Sequence, residues 1–188
     1  STPLYSSAAS DVYKRQVMMK RIISIVLFSV LVLQGCSNDE SNETSKTDDV
    51  KQLVQELSGN KEVKAASISS ETLTVENDGE TKKYNLPEGE FFVSMAPYIN
   101  ETHPCEIHSL SGCQGELVGE DIEVLIEDEG GEVVVDETMT TPDNGFLDFW
   151  LEKGKQYHVT MKHDGKVVEK DITTNEGDNT CITDLQLK

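Results

Sequence analysis

Apolar positions recur along the chain with two different periods, and the change from one to the other marks out the elements. In "TDDVKQLVQELSGN", Val50, Leu53, Val54 and Leu57 fall at i, i+3, i+4 and i+7, which places them on one face of a short amphipathic helix. Thr47 is expected to cap its start, Asp48 and Asp49 to fill the first turn, and Gly59 stands past the end. Beyond this point the period drops to two. "ETLTVENDGETKKYNL" reads as a hairpin through Asn77-Asp78-Gly79. Phe91, Phe92, Val93 and Met95 read as a buried extended stretch halted at Pro97.

From Asp121 onward the chain is strand and turn. "DIEVLIEDEGGEVVVD" predicts a hairpin across Gly130-Gly131, and "NGFLDFWL" a strand holding Phe146 and the only tryptophan, Trp150. "KQYHVTMKHDGKVVEKDI" predicts a hairpin turning at Asp164-Gly165, and "CITDLQL" a closing strand. The expected fold is therefore α+β but mostly β. A short N-terminal helix and hairpin precede a small antiparallel β-sandwich or barrel.

The first 47 residues belong to no such pattern. Residues 1–17 precede the first methionine, and their "DVYKRQ" reads as a translated adapter. The natural start is expected at Met18 or Met19. Lys20 and Arg21 then form a positive region ahead of "IISIVLFSVLVL". A spanning helix needs about 20 apolar residues, so this run suits an export signal better. It ends in "LQGC", which resembles a bacterial lipobox and marks Cys36 as the lipidation site. "SNDESNETSKT", Ser37–Thr47, has nothing with which to bury a core and reads as a polar tether. The expected organisation is adapter (1–17), lipoprotein signal peptide (18–35), lipidated Cys36 and tether (36–47), an N-terminal α/β lobe (48–100), a Cys/His loop (101–115) and a C-terminal β domain (116–188). The expected location is outside the cytoplasm, tethered to the membrane by lipid.

Charge removes one class of partner. The chain carries 16 Lys+Arg and 35 Asp+Glu, a formal net charge of −19. Residues 1–35 hold four of the basic residues and one acid, so the mature chain has 12 against 34, a net charge of −22. Affinity for phosphate backbones comes from Lys and Arg, so nucleic acid is not expected as a partner.

The concentrated chemistry lies in "HPCEIHSLSGC", which holds His103, Cys105, His108 and Cys113. Cys181 follows far downstream. With Cys36 set aside, three thiols remain in an exported and hence oxidising setting. One disulfide would leave one thiol free, whereas a metal site uses all three. Thiolates select Cu(I), zinc or iron–sulfur clusters. Zinc would want a fourth ligand, for which His103 and His108 are at hand. Spacing alone leaves disulfide and metal level, and the clustered histidines favour metal. His158 alternates away from Tyr157, Val159 and Met161, and His163 adjoins a turn, so both read as surface residues. Met95, Met139 and Met161 are scattered and read as core.

"APYINETHPCEIHSLSGCQGEL", "DNGFLDFWLEKGKQYHVTMKHDGK" and "GDNTCITDLQL" together resemble the CueP family of exported copper-binding proteins. The resemblance runs from Asp48 to Lys188. It implies a copper site of Cys105, Cys113 and Cys181, a role in copper resistance, copper transfer to an exported protein, and thiol-driven reduction of Cu(II). The lipobox sets this chain apart from soluble periplasmic members. Cu(I) is the expected cargo, with Cu(II) and then zinc behind it. The rival reading is a binding or adhesion lipoprotein whose β-sandwich is stapled by Cys105–Cys113. A thiol–disulfide oxidoreductase would want Cys-x-x-Cys at a helix start, and no hydrolase motif is present. An enzymatic role beyond Cu(II) reduction is not expected.

Overall fold

The computed structural model describes residues 40–188, so the adapter, signal-peptide and lipidation readings lie outside the described residues. Among the described residues, the helix α1 (Glu40–Leu57) is followed by β1 (Ala65–Ile68), β2 (Thr72–Asn77), β3 (Glu80–Asn85), β4 (Glu90–Tyr98) and the two-residue β5 (His108–Ser109). Then come β6 (Asp121–Asp128), β7 (Val133–Thr140), β8 (Leu147–Glu152), β9 (Gln156–His163), β10 (Lys166–Thr173) and β11 (Cys181–Gln186). The fold is the expected α+β, mostly β. Its strands form three sheets, ordered β3-β2-β1-β5, β11-β4-β8 and β10-β9-β6-β7. Among the described residues, no helix is long and apolar enough to cross a membrane.

Two hairpins turn where the sequence places them. Asp78 and Gly79 both have positive φ, as do Asp164 and Gly165. Two consecutive positive-φ residues match the twist of the flanking strands. At the third hairpin, Asp128 Oδ1 accepts the amides of Gly130 and Glu132 and holds the loop closed.

The strand β4 is the hinge of the architecture because both its faces are buried. Alternation sends Phe91, Val93 and Met95 into one core, with Val124, Ile126, Val159 and Met161 of the four-stranded β6–β10 sheet opposite. Phe92 points the other way, into a second core with Val54 and Leu57 of α1, Ile68 and Leu73. Each such side chain contributes about 1.5–3 kcal/mol on full burial. Met95 and Met161 are core residues, as expected. The sequence grouped β4 with the N-terminal lobe; it pairs with β8 and β11 of the C-terminal region.

Four expectations need correction. Helix α1 begins at Glu40 and takes in much of the tether, so Thr47 lies inside it and not at its cap. Once a turn exists, each further residue adds a hydrogen bond at little cost, which lets polar residues extend a helix. Pro97 does not halt β4, which continues to Tyr98. Its missing N–H is tolerated beside a register irregularity in the pairing with β11. That pairing is parallel, unlike every other in the fold. His163, read as a surface residue, has a side chain only 9% exposed, with Nδ1 3.0 Å from the Asp121 carbonyl.

Candidate metal centre

Residues 101–105 have no helix or strand pairing, yet the second half of the expected loop does. His108 and Ser109 form β5 and pair with β1, Ile68 opposite His108. The Leu110 amide donates to the Ala66 carbonyl, and the Gly59 amide past the end of α1 donates to the Leu110 carbonyl. Leu110 itself is fully buried. Tertiary pairing therefore orders a stretch whose Pro, Ser and Gly content reads locally as loop. The Cys113 amide then closes a turn onto the Ser109 carbonyl at 2.9 Å, which brings its sulfur back towards His108.

Cys181 arrives from the opposite end of the chain. It opens β11 opposite Ser94 of β4. The Thr180 and Cys181 amides both donate to the Glu106 carbonyl, so the last strand and the cysteine loop are tied together. Thr180 Oγ1 donates to the Ile68 carbonyl at 2.6 Å and accepts the His108 amide at 3.0 Å. Cys181, Ala96 and Phe146 form a small buried cluster against which Cys105 and Cys113 pack.

All five candidate residues meet in this corner. The Cys105 and Cys113 sulfurs are 3.5 Å apart, and His108 Nδ1 is 3.5 Å from the Cys181 sulfur. All three cysteines are free thiols. Two three-donor sets have ligand atoms within 4.8 Å of one another: His103, Cys105 and Cys113, and His108, Cys113 and Cys181. Three donors at about 2.3 Å from one ion, the zinc–thiolate distance, stand about 4 Å apart. The spacing fits a soft cation with little movement. His108 is fully buried and its Nε2 has no hydrogen-bond partner. The nitrogen that faces the Cys181 sulfur is Nδ1.

The thiols are not electrostatically equal. Hydrogen bonding from Cys181, reinforced by His108, His103 and the Ser109 amide, holds the Cys113 thiol far below the ordinary value despite burial. The same hydrogen bond, together with burial, pushes Cys181 up, and burial does the same to Cys105. The shared hydrogen bond thus favours ionisation at Cys113 over its two neighbours.

A family model described as periplasmic copper-binding protein CueP matches residues 48–186. The chain belongs to the CueP family. Among solved structures, the crystal structure of S. CueP matches with a TM-score of 0.69 at 30% identity, covering 81% of this chain and 100% of that one. None of the curated proteins matches. Membership of this family of periplasmic copper-binding proteins agrees with a soft-donor cluster in an exported chain.

Three residues of the site were not singled out by sequence. Phe146 lies 4.7 Å from the His108 ring and 6.2 Å from the His103 ring, walling both. It precedes β8 and does not sit within it. Thr180 fixes His108, as described, and only its position next to Cys181 hinted at this. Glu116 accepts the Ile99 and Asn100 amides at 2.6 and 2.9 Å and anchors the segment leading into His103. Burial opposes ionisation of its carboxyl, but the amides of Asn100 and Ile99 outweigh this and lower its pKa to about 2. His158 lies elsewhere, paired with Asp171 at 2.7 Å on the exposed sheet.

Proposed function

We propose that this chain is a membrane-anchored extracytoplasmic copper carrier that holds Cu(I) with Cys105, Cys113 and Cys181 and serves copper resistance. His103 and His108 supplement the sulfurs. The observation that carries this reading is the convergence of three free thiols, separated by as many as 76 positions, beside the buried His108, whose Nδ1 lies 3.5 Å from the Cys181 sulfur. Soft thiolates favour Cu(I) and shield it from the radical chemistry it drives when free. A lipidated Cys36 would keep the carrier at the membrane surface, where it would hand its cargo to an exported acceptor.

Reduction of Cu(II) fits the same corner. Cys105 and Cys113 have sulfurs 3.5 Å apart, and closing a disulfide needs an S–S separation of about 2.05 Å. The two thiols would release two protons and two electrons as that bond forms, reducing two Cu(II) ions to Cu(I). Neutral histidine is suited to receive the Cu(II) first.

The test is an anaerobic competition titration with a Cu(I) chelator on parent and Cys181→Ser. Loss of even a supporting group in a metal site costs about 10–100-fold in affinity, so Cys181→Ser is expected to bind at least about tenfold more weakly. Equal affinities would return Cys105 and Cys113 to a structural role and leave the rival disulfide-stapled module.

A further inference from the structure

The two donor sets differ in more than composition, and their difference has a direction. His103, Cys105 and Cys113 are all half-buried, and the first two sit on backbone without strand pairing. In the other set His108 is 0% and Cys181 2% exposed. Both are fixed by strands: His108 in β5, paired with β1, and Cys181 at the head of β11, paired with β4. Neither set contains both Cys105 and Cys181; Cys113 alone is common to the two. Phe146, fully buried, packs against both histidine rings.

The geometry points to two overlapping copper positions used in sequence, an outer port of His103, Cys105 and Cys113 and an inner seat of His108, Cys113 and Cys181, with Cys113 as the pivot. This rests on the copper-carrier reading and refines it. One histidine and two thiolates would hold the ion at any moment, in place of three sulfurs at once. On transfer Cys113 keeps its hold while His103 and Cys105 are exchanged for His108 and Cys181, so the cargo is never released to water. No electron moves, and each thiol that joins gives up a proton that the departing thiolate takes back. Because one sulfur is shared, a single ion is carried per chain. The inner seat retains and the outer port exchanges.

The experiment combines X-ray absorption of the Cu(I)-loaded protein with stopped-flow transfer to a chelator, on parent, His103→Ala, Cys105→Ser and Cys181→Ser. The expected absorption shell of the parent is one nitrogen and two sulfurs. His103→Ala and Cys105→Ser should slow transfer at least about tenfold and weaken retention less than Cys181→Ser does. Cys181→Ser should weaken retention while leaving the protein in the rapidly exchanging outer position. A shell of three sulfurs, or two ions per chain, would overturn the two-position scheme and leave the three-thiolate carrier standing. So would His103→Ala and Cys105→Ser matching Cys181→Ser in lost retention, with no slowing of transfer. A parent that binds no Cu(I) would remove the carrier reading itself.

Discussion

Gly115 and Gly145 press their backbones together immediately beside the metal centre, and adding one methyl there should disrupt both fold and site. A Cβ built on Gly115 would lie 2.5 Å from the Gly145 carbonyl oxygen and 3.0 Å from its carbon, where ordinary contact begins at 3.4 Å. The two backbone segments must therefore separate by about 0.9 Å, and the opposing atoms are backbone, so no side chain can swing aside. Overpacking of this kind costs about 1–3 kcal/mol. The Gly115 amide also donates to the Asn144 carbonyl at 2.7 Å, a bond worth about 1 kcal/mol more if lost. Gly115→Ala should lower stability by about 2–4 kcal/mol, or the melting temperature by roughly 5–15 °C for a chain of this size. Gly115 is two residues from Cys113, and Gly145 adjoins Phe146, so the shift moves a thiolate against its wall. Cu(I) affinity should fall at least about tenfold. Gly112→Ala is the control: its Cβ would crowd the Ser109 hydroxyl at 2.8 Å, a group that can rotate, and meet Ser109 Cβ at an ordinary 3.6 Å. The assay is thermal unfolding plus chelator competition on both variants. A Gly115→Ala protein that melts within 2 °C of the parent, a span worth about 1 kcal/mol or less, and binds Cu(I) equally well would refute the close-approach argument.

Three further outcomes are expected. Glu116 has a folded pKa lowered from 4.5 to about 2, so its contribution is present above pH 4.5 and is lost as pH falls through about 2; urea midpoints between pH 5 and 2 should fall more steeply for the parent than for Glu116→Gln, and equal slopes would remove Glu116 as the cause. Thr180→Val keeps the shape but strips the buried His108 amide and Ile68 carbonyl of a partner, at about 1–3 kcal/mol for each group left unpaired; an unchanged thermal midpoint would count against the tie between β1, β5 and β11. Cys36→Ser should remove the protein from the membrane fraction or block its maturation, and unchanged processing and fractionation would count against the lipobox.

What was legible in the sequence was what local pattern encodes. A continuous apolar run located Phe91, Phe92 and Val93 as a buried strand, and Asp-Gly pairs located the turns at Asp78-Gly79 and Asp164-Gly165, where both residues take positive φ. The parallel pairing of β11 with β4 was not legible, because it joins segments some ninety residues apart and no short-range period reports it. Strand β5 escaped for a related reason: His108 and Ser109 are extended only because β1 lies beside them. The cysteines drew attention by their number, yet which thiol pairs with which histidine depends on the turn from Ser109 to Cys113 and on the arrival of β11. Phe146 looked like one more apolar strand residue, and its place against two imidazoles is a property of the folded corner.

That division between local and long-range information bears on how the site works. His103 and Cys105 lie on backbone without strand pairing, held by separate hydrogen bonds: Glu116 takes the Ile99 and Asn100 amides, Thr102 Oγ1 donates to the Thr183 carbonyl, and the Glu106 carbonyl takes the Thr180 and Cys181 amides. His108 and Cys181 depend on the whole fold, since β5 needs β1 and β11 needs β4. Local opening of a loop takes far less free energy than separation of core strands. Once those few bonds at Thr102 and Glu106 open, the outer donors can move to meet an incoming ion or acceptor while the inner donors stay where the sheets hold them. Cys113 stands at the junction, its amide held by the Ser109 carbonyl and its ionisation favoured by its neighbours. A carrier must both retain and release, and here the two demands fall on donors held by structures of different stiffness.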